Sequence, residues 1–151
     1  MKTAIWGVDD PLCRGDNQES VRLPDPAAAE SIVRHVLYLD GPGRSTPYLS
    51  TTEDEEIART VFGGKAGRVW FTTVARAQSA ELRYISNAEL LDLLRGKGKG
   101  DALWPRASEV MQARAFAEQW AEHLVDFRSQ KGKAPDALRS LVASVFTKER
   151  P

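Results

Sequence analysis

The spacing of apolar positions changes several times along this chain, and each change predicts an element. Residues 9–26 show no sustained period. Asp9-Asp10-Pro11, Gly15-Asp16-Asn17 and Pro24-Asp25-Pro26 punctuate the stretch, which reads as irregular up to a short helix at 27–31 capped by Asp25. Residues 32–39, Ile-Val-Arg-His-Val-Leu-Tyr-Leu, are almost continuously apolar and β-branched, a pattern that predicts a buried strand closed by a turn at 40–44. Residues 47–50 predict a second short strand. Ile57, Ala58, Val61 and Phe62 then recur at helical spacing. Thr52 and Glu55 supply a capping box before them, and Gly63-Gly64 supplies a stop after them.

Residues 68–74, Arg-Val-Trp-Phe-Thr-Thr-Val, predict a strand by propensity, and residues 82–85 another. Asn87 predicts the cap of a short helix over 88–94 that ends at Gly96. Residues 96–100 alternate glycine and lysine and read as a flexible basic loop. After Trp104-Pro105, the positions Val110, Ala113, Ala117, Trp120, Leu124 and Phe127 step by three or four, predicting one long helix. Pro135 opens a last helix with Leu138, Leu141, Val142, Val145 and Phe146 on its apolar side. Strands and short helices come first and longer helices follow. The expected class is therefore α+β, a small mixed or antiparallel sheet in the first two-thirds with helices concentrated at the C-terminus. The chain reads as one domain over 1–151, with an irregular lead-in (1–31), a strand and helix core (32–95) and a helical segment (101–151).

Composition adds limits. The 151 residues include 42% hydrophobic and 28% charged side chains, ordinary globular usage. No apolar run approaches the roughly 18 residues that span a bilayer, and Asp9-Asp10 interrupts the N-terminal stretch before a signal-peptide core forms. Cys13 is the only cysteine, which excludes an internal disulfide and fits a reducing cytoplasm, either the cell's own or that of a target cell. The net charge is zero, yet residues 1–60 carry six basic and eleven acidic groups and residues 61–151 fifteen and ten. Such asymmetry orients an anionic ligand toward the second half or simply separates two surfaces.

The segment Tyr48-Leu49-Ser50-Thr51-Thr52-Glu53-Asp54, with the polar run Arg34-His35 before it and an Ala58…Phe62 helix and a strand after it, resembles the central part of the ADP-ribosyltransferase fold. There, a Ser-Thr-Ser-like motif ends a strand and an "A…F" helix follows. The resemblance covers residues 32–89. It implies NAD as substrate, transfer to a protein or nucleic acid, and a bacterial toxin or effector setting. It implies that Ser50 and Thr51 brace the nicotinamide pocket, with Arg34 or His35 beside them and Tyr48 stacked on the ring. The catalytic carboxylate falls to Glu89 or Glu122. Hydroxyls of this kind orient a carboxylate, which stabilises the oxocarbenium-like ribose as nicotinamide leaves. The simpler reading of Ser50-Thr51-Thr52 is a helix cap.

Two further readings stand beside it. His35 and His123, the two histidines, suit paired acid–base cleavage of RNA, with Arg34, Arg44, Arg68, Lys97 and Lys99 holding phosphates. As a structural group His123 would only satisfy Glu122, Asp126 or a backbone carbonyl. A non-catalytic inhibitor, antitoxin or immunity-type protein is the third. The loop 96–100 matches no phosphate-binding motif but offers lysines for nucleic-acid contact. Two histidines so separated predict no metal site, and the four tryptophans read as packing residues.

Overall fold

The computed structural model describes residues 6–37, 45–63 and 67–151. Its centre is a five-stranded sheet of Leu12–Asp16 (β1), Tyr48–Thr52 (β2), Arg68–Thr72 (β3), Arg83–Ile85 (β4) and Glu122–Asp126 (β5). The strand order is β3-β1-β2-β5-β4, and every neighbouring pair is antiparallel. The helices are Ile32–Leu37 (α1), Glu55–Ile57 (α2), Val74–Ser79 (α3), Asn87–Leu93 (α4), Ala107–Gln119 (α5) and Pro135–Val145 (α6). Helix and sheet together make the expected α+β class. The helices are spread along the chain, however, and are not gathered at its C-terminal end. No helix among the described residues is long and apolar enough to cross a membrane.

Both sheet faces are covered. On the first, Tyr48, Ile85 and Leu124 pack against Ile32, Val33 and Val36 of α1, Leu90 of α4, and Val110, Ala113 and Ala117 of α5. On the second, Leu49, Val125 and Trp70 meet Ala77 of α3 and Leu138, Val142 and Val145 of α6. Beyond α6 the backbone of Thr147 exchanges two hydrogen bonds with Phe71 on the outer edge of β3.

Five sequence expectations are corrected. The lead-in expected to be irregular contains β1, every residue of which is buried. Its charged members are sheltered by pairing with each other: Arg14 Nε and Nη2 donate to Asp16 Oδ2 at 3.1 and 3.0 Å. The expected strand at 32–39 is helical over Ile32–Leu37. Ile32, Val33 and Val36 also fit a helical face, and Ser31 Oγ accepts from the Val33 amide at 3.2 Å; burial against α5 overrides β propensity. Residues 38–44, including Tyr38, the predicted turn and Arg44, lie outside the described residues, as does Gly64.

The single long helix after Pro105 is instead α5 followed by β5. The break is at Ala121, which takes a left-handed φ of 45°, so the apolar positions of 120–127 continue a helical spacing inside a strand. The helix near residue 55 is capped by Asp54, which accepts from the Glu56 and Ile57 amides. Thr52 belongs to β2, where its hydroxyl donates to Trp120 O at 2.5 Å. Nor is the 96–100 loop a slack linker. Gly98 N donates to Arg95 O, Lys99 N to Leu93 O and Trp104 N to Lys97 O, which closes it into a compact turn. Lys99 reaches Asp92 there.

After α2 the backbone widens into a π-helical turn, Ala58–Phe62, laid across β1. The approach is so close that a Cβ on Gly15 would lie 1.8 Å from Ala58 O and 2.8 Å from Gly63 N. Both obstacles are backbone, so neither swings aside. Gly15→Ala is expected to destabilise the fold by about 3 kcal/mol or more, the upper end for overpacking. A urea titration showing an unchanged midpoint would contradict this packing.

Candidate functional site

Residues opposite one another on an antiparallel ladder point to the same side. The β2–β5 register pairs Tyr48 with Asp126, Ser50 with Leu124, Thr51 with His123 and Thr52 with Glu122. Tyr48, Ser50, Thr52 and Glu122 therefore share the first face, and Thr51 and His123 the second. This parity separates the two histidines and splits the hydroxyl motif.

On the first face Ser50 is a hub. His35, directed inward from α1, places Nε2 at 2.8 Å from Ser50 Oγ and Nδ1 at 2.8 Å from Thr46 Oγ1. Thr46 Oγ1 also accepts from the Tyr48 amide. From β1, Arg14, which lies opposite Trp70 and so points to the second face, reaches into the plane of the sheet, where its Nη1 donates to the Ser50 carbonyl at 3.1 Å. Glu122, the first residue of β5, stands diagonally across the ladder from Ser50, and both of its carboxylate oxygens are buried. The imidazole thus holds the Ser50 hydroxyl, the guanidinium holds its backbone carbonyl, and the Glu122 carboxylate shares the first face with its side chain. The cluster is closed: Ser50 is 1% exposed, His35 3% and Glu122 1%.

The Tyr48 ring packs edge-on to His35 at 5.4 Å between centroids, with the Arg128 guanidinium 5.5 Å over its own centroid. Its hydroxyl is buried without a hydrogen-bond partner among the described residues. Burial drives its pKa well above the ordinary tyrosine value. Arg128 is gripped by Asp101 and Asp126 through all of its donor nitrogens. Beside it opens a cleft of about 440 Å³, lined by residues 26–31 with Asp101, Arg128 and Lys131. The lining segment 26–31 immediately precedes α1 in the chain.

On the second face, Glu53 Oε2 lies 2.6 Å from His123 Nε2, and the Tyr84 hydroxyl lies 2.5 Å from His123 Nδ1. The backbone amide of Asn87 also points at Nδ1, at 3.3 Å. An amide only donates, so Nδ1 is the acceptor nitrogen and Nε2 carries the proton toward Glu53.

The sequence-derived candidates divide accordingly. His35, Ser50 and Glu122 are brought together. Tyr48 adjoins them but is walled into the core. Arg34 follows the same helix, one position from His35. Thr51 lies on the other face, where its hydroxyl donates to His123 O at 3.0 Å. Glu89 sits on α4 in an exposed pair with Arg83 at 2.7 Å, not beside Ser50. His35 and His123 occupy opposite faces, so the sheet stands between them. Arg14 was absent from the sequence candidates. Its signal was the charge alternation Arg14-Gly15-Asp16 inside Leu12–Asp16, where like-facing opposite charges two residues apart neutralise one another. No group of three or more His, Cys, Asp or Glu side chains able to hold a metal occurs among the described residues.

Comparisons with protein-family models, with curated proteins and with solved structures find no match to this chain.

The stranded Tyr48 hydroxyl gives a direct check on the core. Removing a buried polar group that lacks a partner relieves its desolvation cost, roughly 1 kcal/mol or more. Tyr48→Phe is expected to raise stability by about that amount in urea unfolding, and a loss of stability would show that the hydroxyl is satisfied.

Proposed function

We propose that this chain is an ADP-ribosyltransferase-type enzyme that takes NAD as its substrate and modifies a protein or nucleic acid, as a toxin or effector does. One observation carries the reading: His35 and Arg14 both bind Ser50, with the buried Glu122 beside it on the neighbouring strand. The resemblance in the Ser50-Thr51-Thr52 segment calls for Arg34 or His35 and a carboxylate to converge on the motif serine in a cleft; His35 and Glu122 supply the residue types, although here they are buried. Of the two carboxylates, Glu122 lies diagonally across the ladder from Ser50 while Glu89 pairs with Arg83 on α4, which favours Glu122.

The donor set suits NAD in kind. A carboxylate held in a dry, low-dielectric setting accepts a hydrogen bond from a ribose hydroxyl. It also favours the positive charge that develops at the anomeric carbon as the bond to nicotinamide breaks. Ser50 and His35 hold β2 in place opposite Glu122. Arg14 holds the Ser50 carbonyl, so its role is positional. The acceptor's nucleophilic atom then closes on the anomeric carbon and loses its proton to solvent or a local base.

A second reading keeps support from a different observation. The near-complete burial of Ser50, His35 and Glu122 is what a structural polar core looks like, and it favours a non-catalytic inhibitor, antitoxin or immunity-type protein. The ribonuclease reading draws no such support, because its two histidines face away from each other across the sheet.

The deciding experiment incubates the purified chain and cell lysate with NAD labelled in the ADP-ribose half. The expected result is nicotinamide release and label transfer, about a hundredfold lower in Glu122→Gln with an unchanged melting curve. Label in the protein or the nucleic-acid fraction then names the acceptor class. Wild-type chain that neither releases nicotinamide nor transfers label would sink the enzyme reading and leave the binding protein.

A further inference from the structure

The face of the sheet opposite Ser50 carries a second polar constellation that ribosyl transfer does not use. Glu53 just past the end of β2, His123 on β5 and Tyr84 on β4 form an unbroken chain of hydrogen bonds. The order is carboxylate, imidazole, hydroxyl. A nucleophile and a base within hydrogen-bond reach, with the base oriented by a third group, is the general signature of an activated nucleophile. We propose that Tyr84 Oη is such a nucleophile, with His123 as its base and Glu53 as the orienting carboxylate, acting on electrophiles that bring their own leaving group.

Four features of the geometry support this assignment. First, the Asn87 amide fixes the tautomer, leaving Nδ1 free of a proton and facing Tyr84. Second, Glu53 Oε2 receives the Nε2 proton at 2.6 Å, so an imidazolium formed during attack is stabilised at once. Third, the phenol ring lies nearly parallel to the imidazole, 17° between planes and 5.6 Å between centroids, which limits rotation of either ring. Fourth, His123 is sealed while Tyr84 and Glu53 are only partly buried, so the two ends of the chain, and not its centre, border solvent. Burial, followed by the Glu53 and Glu89 carboxylates, keeps the Tyr84 pKa well above the ordinary value. The resting group is therefore the phenol, and its proton must leave during attack.

The step balances without a further reagent. Tyr84 Oη bonds to the electrophilic centre, its proton passes to His123 Nδ1, and the leaving group departs with the electron pair of the bond it breaks. Because the triad occupies the other face of the sheet, it stands or falls independently of the NAD reading.

An arylsulfonyl fluoride tests it. The Tyr84 oxygen–sulfur bond forms, the sulfur–fluorine bond breaks, fluoride leaves and His123 takes the proton. Labelling of the whole chain, mapped by mass spectrometry over time, is expected to mark Tyr84 and spare the buried Tyr48. The rate should fall about a hundredfold in His123→Gln and in Glu53→Gln. Glu53→Gln lies at the outer end of the chain and preserves shape, so it decides the matter if His123→Gln does not fold. Tyr84 labelling that is undetectable in the wild type, or equally fast in a folded variant, overturns the triad.

Discussion

The join between β1 and β2 rests on a side chain more than on a ladder. Backbone pairing between these strands is confined to the register Cys13 with Thr52, whereas β1 pairs with β3 along its whole length. The Arg14 guanidinium bridges the gap by donating to Ser50 O while Asp16 holds its other nitrogens. A buried arginine is costly unless its charge is paired and its nitrogens find acceptors, and here one carboxylate and one carbonyl engage all three nitrogens. Asp16 also accepts from the Arg22 amide, so the same pair anchors the chain leaving β1. With this cluster the sheet is continuous from β3 to β4, and without it the β1–β3 ribbon hangs on one residue pair and the packing of the π-helical turn.

That arrangement ties stability to the candidate site. Ser50 is held twice, by its carbonyl from β1 and by its hydroxyl from α1. Any adjustment of β1 or α1 is transmitted to the strand opposite Glu122. The parity of β2 does the rest. Ser50 faces one way with Glu122, and Thr51 faces the other with His123, so two polar constellations are insulated from each other by the thickness of one sheet.

Legibility in the sequence followed the physics of each segment. β3, β4 and α6 were readable because propensity, pattern and burial agree there, as in Arg68–Thr72 and the proline-led helix at Pro135. Ile32–Leu37 was misread because β-branched residues that suit a strand also make a buried helical face. β5 was hidden because 120–127 continues the spacing of α5, and only the left-handed Ala121 interrupts it. No propensity marks that residue in advance. β1 was lost among Pro, Gly and Asp residues, since its buried charges look like surface until their pairing is known. His35, Ser50 and Glu122 could be named from residue type and motif. That Glu122 and not Glu89 adjoins Ser50 required the strand register, and Arg14 required knowing that β1 exists.

The two hydrogen bonds from Thr147 to Phe71 have a meaning for the protein in company. A sheet whose outer strand shows unpaired amides and carbonyls is a template on which another chain can add. β3 is the broad edge of this sheet, and the segment after α6 occupies part of it. Lys148 lies over the Trp70 ring and Arg150 over the Phe71 ring, setting two cations on the same rim. At the opposite edge, β4 has only three residues and carries the exposed Arg83. The sheet is thus blunted at both margins, by a strap with positive charge on one side and by brevity with positive charge on the other, which keeps it from polymerising through its own backbone.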